Sequence, residues 1–206
     1  MHFPVYLLIP AVAAVIYTVA SLLFKRGYEE GAGTLATFHW SNLICMPVFA
    51  PLFFFNPGPL PVAEWWRPAL VAAMMYSGTW IAFAAIRRGD VSMVTPILGT
   101  KVVFVALASV ALSTTEPGTA LWLAAFLTAA GIFVIGKGDL RPGRANGIAI
   151  LMCLGSSLIY GVTDVLVAHW AGKFGGTTFL GALPQFLGIY SLLSLAGSRR
   201  GIMQLG

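Results

Sequence analysis

A chain of 206 residues that is 58% hydrophobic and only 9% charged is too apolar to be a soluble domain, because ordinary globular chains are about 25% charged. Its formal net charge of +5 lies in short polar segments, without a basic patch interleaved with aromatic side chains, so nucleic acid is not an expected partner. The mean hydropathy of +0.86 instead predicts an all-α membrane protein, a polytopic helix bundle in the lipid bilayer.

Apolar runs long enough to cross a bilayer recur along the chain, separated by glycine, proline and charged residues. They predict about seven transmembrane helices. In chain order, the predicted spans cover residues 5–24, 35–55, 68–86, 91–113, 116–135, 147–168 and 178–196. Both cysteines, Cys45 and Cys153, fall inside these runs and away from any metal-ligand spacing, so we expect no disulfide, metal site or cofactor. The chain has no nucleophile–base set and no phosphate loop, which argues against an enzyme.

The fourth predicted span carries the residues on which the functional hypothesis depends. Counting from Val91, Lys101 lies about 15 Å along this helix, close to the middle of a hydrocarbon core about 30 Å thick. A lysine there costs about 2.5–3.5 kcal/mol on insertion scales and cannot reach either surface along its stem. Pro96 and Gly99 predict a break in the helix, with backbone carbonyls that must meet protein or water.

Two interpretations of Lys101 follow from its depth. In one, Lys101 pairs with a carboxylate or a backbone carbonyl and only holds helices together, although no Asp or Glu lies near the middle of any predicted span. In the other, which we favour, Lys101 faces a polar cavity between helices and contacts a carboxylate-bearing or zwitterionic substrate. Burial disfavours the charged form of a lysine, so proton coupling is a further possible role.

Two more titratable residues are candidates for proton coupling. Asp164 lies about 25 Å along the sixth predicted span, near its far end, where it is either an interfacial carboxylate solvated by water or a coupling group. His39 lies one turn into the second span and is of the residue type that titrates near neutral pH. A hydrogen-bonded histidine at the membrane interface is the more ordinary interpretation of His39.

A weak internal repeat is visible in the sequence. A shift of 143 positions aligns Ile16-Tyr17 with Ile159-Tyr160 and Gly33-Thr34 with Gly176-Thr177. Because five predicted helices separate the starts of the two repeat copies, the second copy must enter the membrane from the opposite face. Inverted repeats of this kind are typical of secondary transporters, whose substrate site lies near the bilayer midplane.

The repeat defines the expected domain organisation. We assign residues 1–136 to a first five-helix repeat, 137–146 to a polar linker, and 147–206 to two helices of a truncated second repeat. With its partner helices absent, the second repeat would expose a row of small residues that suits close helix packing, so we expect a homo-oligomer. This row consists of Cys153, Ser157 and Gly161.

Several motifs resemble the EamA family of the drug/metabolite transporter superfamily. They are YTVASLLFK at residues 17–25, AAIRRGDVS at 84–92 and TPILGTK at 95–101, together with Glu116 at the start of the fifth helix. The resemblance covers essentially the whole chain and implies two inverted five-helix repeats that export small metabolites, amino acids or drugs. Transferred to this sequence, it implies a substrate site that contains Tyr17, Trp80, Thr95, Lys101 and Tyr160.

The predicted function is therefore that of a secondary transporter, an exporter of small amino-acid-like or drug-like metabolites that works by alternating access in the cell membrane, the inner membrane of a bacterium. The alternative is a non-transporting partner or regulatory subunit that binds other membrane helices. Since only two helices of the second repeat are present, we expect an incomplete transporter.

Two arguments about membrane orientation disagree. Nine Lys and Arg residues follow the odd-numbered helices, whereas the opposite side holds Arg67 and Lys173. The positive-inside rule then places the N-terminus outside the cell. The family resemblance implies a cytoplasmic N-terminus, and we favour the charge distribution.

Overall fold

A computed structural model describes residues 8–55, 62–88, 97–112, 118–139 and 144–197. These residues are almost entirely helical, which confirms the prediction of an all-α bundle. Two short 3-10 helices, Ala50–Phe55 and Val62–Glu64, lie between the second and third α-helices. The seven α-helices of the described ranges are α1 Leu8–Glu29, α2 Thr34–Phe49, α3 Trp66–Arg88, α4 Lys101–Ala111, α5 Thr119–Asp139, α6 Arg144–Phe174 and α7 Gly176–Gly197.

Several helical segments have the length and composition of membrane spans. Among the described residues, four are long and apolar enough to cross a bilayer, namely Thr34–Phe55, Val62–Ile86, Gly147–Phe174 and Gly176–Gly197. Two shorter apolar helices, Lys101–Ala111 and Thr119–Gly131, accompany them. Outward-facing apolar side chains such as Leu151, which is 71% exposed, are suited to contact with lipid tails. The fold is that of a polytopic helical membrane protein.

Helix α6 packs against α3, α4 and α7. Val71, near the start of α3, belongs to the same apolar cluster as Phe174 at the end of α6. Arg88, at the end of α3, places its Nη1 3.2 Å from Met152 Sδ near the start of α6. These contacts show that α3 and α6 run antiparallel.

Hydrogen bonds between side chains and neighbouring helices fix the register of the bundle. Ser156 Oγ of α6 donates to the carbonyl oxygen of Gly78 in α3 at 2.8 Å. Asn42 Nδ2 of α2 donates to Ser191 Oγ of α7 at 3.0 Å. Polar groups inside a membrane bundle are tolerated where they find such partners, because lipid offers none.

Two helix ends that carry basic residues meet at one end of the bundle. Helices α1 and α3 end there, since Phe24 and Tyr28 near the end of α1 both contact the ring of Phe83. Arg26 and Arg88 lie close to these two ends. Helix α6 begins at the same end and α1 therefore runs antiparallel to it. We call this the basic end.

The predicted start of the fourth span at residue 91 lies outside the described residues, since 89–96 are not described; among the described residues α4 begins at Lys101. The polar linker 137–146 stays a prediction, with α5 ending at Asp139 and α6 beginning at Arg144. Helix α1 ends at Glu29 rather than at residue 24. Helix α6 likewise ends at Phe174 rather than at residue 168. This helix continues because Leu166, Trp170 and Phe174 extend its apolar face and pack together in one cluster with residues of α3 and α7.

The row of small residues on α6 is not exposed, which corrects the reason given for a homo-oligomer. Cys153 and Ser157 have no exposed surface and Gly161 is also buried. They face residues of the same chain, because Ile97 packs with Cys153 in a buried cluster. Helix α4 and the turn before it cover this face.

Candidate functional site

The chain breaks its helical path immediately before α4. Residues 97–98 are helical, 99–100 form a turn, and α4 starts at Lys101. The amide of Thr100 donates to Ile97 O at 3.0 Å, and that of Val102 donates to Gly99 O at 3.3 Å. Such bonds over three residues replace the α-helical pattern and leave the local carbonyls in need of other donors.

A serine of α6 contacts the carbonyls at this break. Ser157 Oγ lies 3.4 Å from Ile97 O and 3.3 Å from Leu98 O, and it donates towards both. Thr100 Oγ1 donates to Ile97 O at 2.7 Å. The irregular backbone is thus buried against protein at Ile97, as required at membrane depth, while Gly99 is exposed.

The backbones of α4 and α6 touch one turn further along α6. A Cβ atom placed on Gly161 would lie 2.6 Å from Phe104 Cβ and 2.9 Å from the carbonyl carbon of Phe104. No residue with a side chain fits at that separation. We call the contact surface made by Cys153, Ser157, Gly161 and Asp164 with α4 and its preceding turn the α4–α6 seam.

An ion pair completes the α4–α6 seam. Lys101 Nζ lies 2.8 Å from Asp164 Oδ2, and the two side chains are 43% and 45% exposed. Of the two interpretations of Lys101, the contact agrees with the one in which the lysine pairs with a carboxylate, and a role in substrate contact stays a prediction. Pairing lowers the cost of both charges inside a membrane, since each neutralises the other. The pair is nevertheless accessible from one side, unlike the buried serine and glycine beside it.

Asp164 is also deeper in its helix than the sequence predicted. It lies 17 residues after Gly147 and 10 residues before Phe174, the ends of the apolar segment. At 1.5 Å per residue it is about 5 Å from the midpoint of that segment. The interfacial alternative for Asp164 had assumed that the helix ends at residue 168, and proton coupling by Asp164 stays a prediction.

Aromatic and hydroxyl side chains lie one turn from the pair. Tyr160 precedes Asp164 by four residues and therefore shares its face of α6. Its hydroxyl is 2.6 Å from Thr79 Oγ1 of α3. Trp80, the next residue, is 42% exposed and its ring packs edge-on against Phe38 at 5.5 Å. Helices α4 and α6 thus bring Lys101 and Asp164 together, with Tyr160 one turn away on α6, whereas the ring of Trp80 lies against Phe38 of α2.

Comparison with known proteins identifies the family of the chain. The family described as EamA-like transporter family matches residues 4–137. The chain belongs to the EamA-like transporter family. This confirms the resemblance seen in the motifs, and it places the chain among membrane transporters rather than enzymes. No curated protein and no solved structure matches the chain.

In this EamA-like chain, the residues that match the family contain only one partner of the ion pair. The matched residues contain Lys101, whereas Asp164 lies beyond them. A signal for the pair was nevertheless present in the sequence. Apart from Glu116 at the edge of the fifth span, Lys101 and Asp164 are the only Lys, Arg, Asp or Glu residues within the predicted spans. One cation and one anion, both isolated in apolar helices, are expected to find each other.

The remaining predicted site residues do not join the pair in the described structure. His39 lies on α2, which packs mainly on α7; its side chain is buried, and its Nδ1 has no hydrogen-bond partner among the described residues. Tyr17 lies on α1, but its side chain is outside the described part of the chain, as are Thr95 and Pro96. Gly99 lies in the turn that precedes α4.

Proposed function

We propose that this EamA-like chain moves small metabolites across the membrane by alternating access, with export as its direction. The Lys101–Asp164 pair is the observation that supports the proposal most strongly. In this proposal the pair contacts the substrate, and Tyr160 forms the rim of the same site.

The accessibility of the pair is the first argument. Charged groups are costly in hydrocarbon and are usually found where they face a bundle interior or a water-filled cavity. Lys101 and Asp164 are paired, yet each is almost half exposed. If those exposed surfaces faced lipid tails, the pair would lose its hydration without replacement. A hydrated cavity avoids that cost and gives a polar solute access to both charges.

The position of the pair in the bundle is the second argument. Helix α4 belongs to the first predicted repeat and α6 begins the second, and α6 runs antiparallel to its proposed counterpart α1. Alternating access requires one repeat to rock against the other around a site near the midplane, often at a broken helix. The α4–α6 seam joins the two proposed repeats, lies near the midpoint of α6 and includes the break before α4. These features support the inverted-repeat mechanism.

The proposal is tested by transport in liposomes. Liposomes that contain the purified protein would be loaded with a mixture of amino acids, organic acids, nucleosides and cationic drugs, and efflux would be followed by mass spectrometry. We expect Lys101→Met and Asp164→Asn each to reduce efflux at least about tenfold, since each leaves one charge unpaired.

The exposed ion pair at the end of α1 provides the matched control. Arg26 and Glu30 form a pair of similar length, 3.0 Å, with side chains 77% and 67% exposed. The double variant Arg26→Gln/Glu30→Gln should transport normally, because exposed pairs of this kind contribute little. The proposal fails if Lys101→Met, folded and inserted as the wild type is, transports every solute at the wild-type rate.

A further inference from the structure

The ion pair restricts the charge that a substrate can carry, and this inference rests on the proposed function. We infer that the site selects compact zwitterions, molecules with an ammonium and a carboxylate group on the same or on neighbouring carbon atoms. The sequence left both carboxylate-bearing and zwitterionic substrates open. The 2.8 Å contact with Asp164 separates the two classes.

Charge balance is the first step. A substrate that enters between Lys101 and Asp164 breaks their contact, and each charge must then find a new partner. A simple carboxylate satisfies Lys101 and leaves Asp164 facing an anion, whereas a simple amine satisfies Asp164 and leaves Lys101 unpaired. A zwitterion replaces both contacts at once, with its carboxylate on Lys101 and its ammonium on Asp164. The site stays neutral throughout, and discrimination arises from the charge that the wrong ligand leaves unpaired.

The seam beside the pair limits the separation of the two charges. Gly161 precedes Asp164 by three residues, and its backbone is in contact with Phe104, three residues after Lys101. The α-carbons that carry the two charged side chains therefore cannot move apart unless this contact opens. Asp164 has a short side chain on a continuous helix, so adjustment depends on the lysine stem. A ligand whose opposite charges are close together fits this arrangement, and one with widely separated charges does not.

The surroundings accommodate the rest of such a molecule. Tyr160 lies one turn from Asp164, and its hydroxyl is held 2.6 Å from Thr79 Oγ1. An apolar group attached to the zwitterion would meet the ring of Tyr160 there, while its charged end occupies the pair.

The test compares three sets of probes that share the same side chains and carry different charges. The first is an equimolar mixture of the neutral L-amino acids, the second is the same mixture as N-acetyl derivatives, and the third is the same mixture as methyl esters. The N-acetyl acids keep only the negative charge and the esters keep only the positive one. Binding to the complete chain in detergent is measured by the rise in its thermal unfolding midpoint, and exchange is measured in liposomes.

We expect the wild type to bind the free amino acids at least about 30-fold more tightly than either derivative. This ratio lies between the effect of losing one partner of an exposed ion pair and the effect of losing one partner of a buried ion pair. Lys101→Gln should shift the preference towards the esters, and Asp164→Asn should shift it towards the N-acetyl acids. A purely structural ion pair would not produce these opposite shifts. The charge-exchanged variant Lys101→Asp/Asp164→Lys should again prefer the free amino acids. Because it keeps both charges, it tests the inference even if a single variant fails to fold.

Two results would overturn the inference. One is a wild-type protein that binds either derivative as tightly as the free amino acids. The other is a pair of folded single variants with the wild-type order of preference. In both cases transport of other solutes from the broader mixture would leave the proposed function intact. If no solute of any charge class binds or moves, the proposed function fails together with the inference.

Discussion

Replacement of Gly161 by alanine tests whether the α4–α6 seam is as close as the structure indicates. The new methyl group would lie 2.6 Å from Phe104 Cβ and 3.0 Å from Val105 N. Carbon atoms in favourable contact are about 3.5–4.0 Å apart, so the helices must separate by about 1 Å. Two of the three nearest atoms are backbone atoms, and no rotation of a side chain relieves those contacts.

The expected loss of stability follows from two opposing effects. Overpacking of a well-packed contact costs about 1–3 kcal/mol, whereas the change from glycine to alanine inside a helix favours the folded state by about 1 kcal/mol. The difference of these two values gives an expected net loss of up to about 2 kcal/mol for Gly161→Ala, and of about 1–3 kcal/mol relative to an unstrained glycine-to-alanine change. The displacement should also weaken the contact between Lys101 and Asp164, since both flank the same seam.

Gly155 supplies a matched control on the same helix. An added Cβ at Gly155 meets no atom within 4 Å, so Gly155→Ala should be neutral or stabilising by up to about 1 kcal/mol. Equilibrium unfolding of both variants in mixed micelles, followed by tryptophan fluorescence, compares them under identical conditions. If Gly161→Ala is as stable as Gly155→Ala, the two backbones are not in contact and the argument from the seam is refuted.

Three further predictions concern the break before α4, the aromatic rim and the orientation. Ser157→Ala removes the hydroxyl that donates towards Ile97 O and Leu98 O, and we expect a loss of about 1 kcal/mol in the same unfolding assay; an unchanged stability would show that water serves these carbonyls equally well. Tyr160→Phe removes the contact with Thr79 and should reduce stability by about 0.6 kcal/mol, a typical value for such bonds in membranes. The same variant should reduce efflux in liposomes, and efflux at the wild-type rate would exclude Tyr160 from the rim. A cysteine at residue 141 should resist impermeant thiol reagents in intact cells, because the positive-inside rule places the basic end in the cytoplasm, and efficient labelling would favour the opposite orientation.

The fold was largely predictable because the bilayer imposes a simple rule on length and apolarity. Seven helices in the predicted order follow from that rule, and the errors occur where it is least informative. Helix six was predicted to end at Ala168, although the spacing of Trp170 and Phe174 continues the buried face. The fourth span was predicted to contain a break, and the described residues there are a turn at 99–100 between helical residues 97–98 and α4.

The ion pair was harder to predict because its partners are 63 residues apart and their register depends on packing between helices. Nothing in the local pattern around Asp164 shows that Gly161 lets α4 approach closely enough for Lys101 to reach it. The isolation of both charges was visible in the sequence. The helix end, placed six residues too early, made Asp164 look interfacial and hid the connection.

The central claim is that the Lys101–Asp164 pair faces water near the middle of the membrane. Its most direct test is the reaction of Asp164→Cys with a charged, membrane-impermeant thiol reagent, in a background in which Cys45 and Cys153 are replaced by alanine. Leu151→Cys is the control, because Leu151 is on the same helix and 71% exposed, on a surface suited to lipid. We predict that Asp164→Cys reacts and that Leu151→Cys does not, since a thiol in hydrocarbon neither ionises readily nor meets a charged reagent. If Asp164→Cys is as unreactive as Leu151→Cys in the folded protein, the pair does not face water and the proposed site is contradicted.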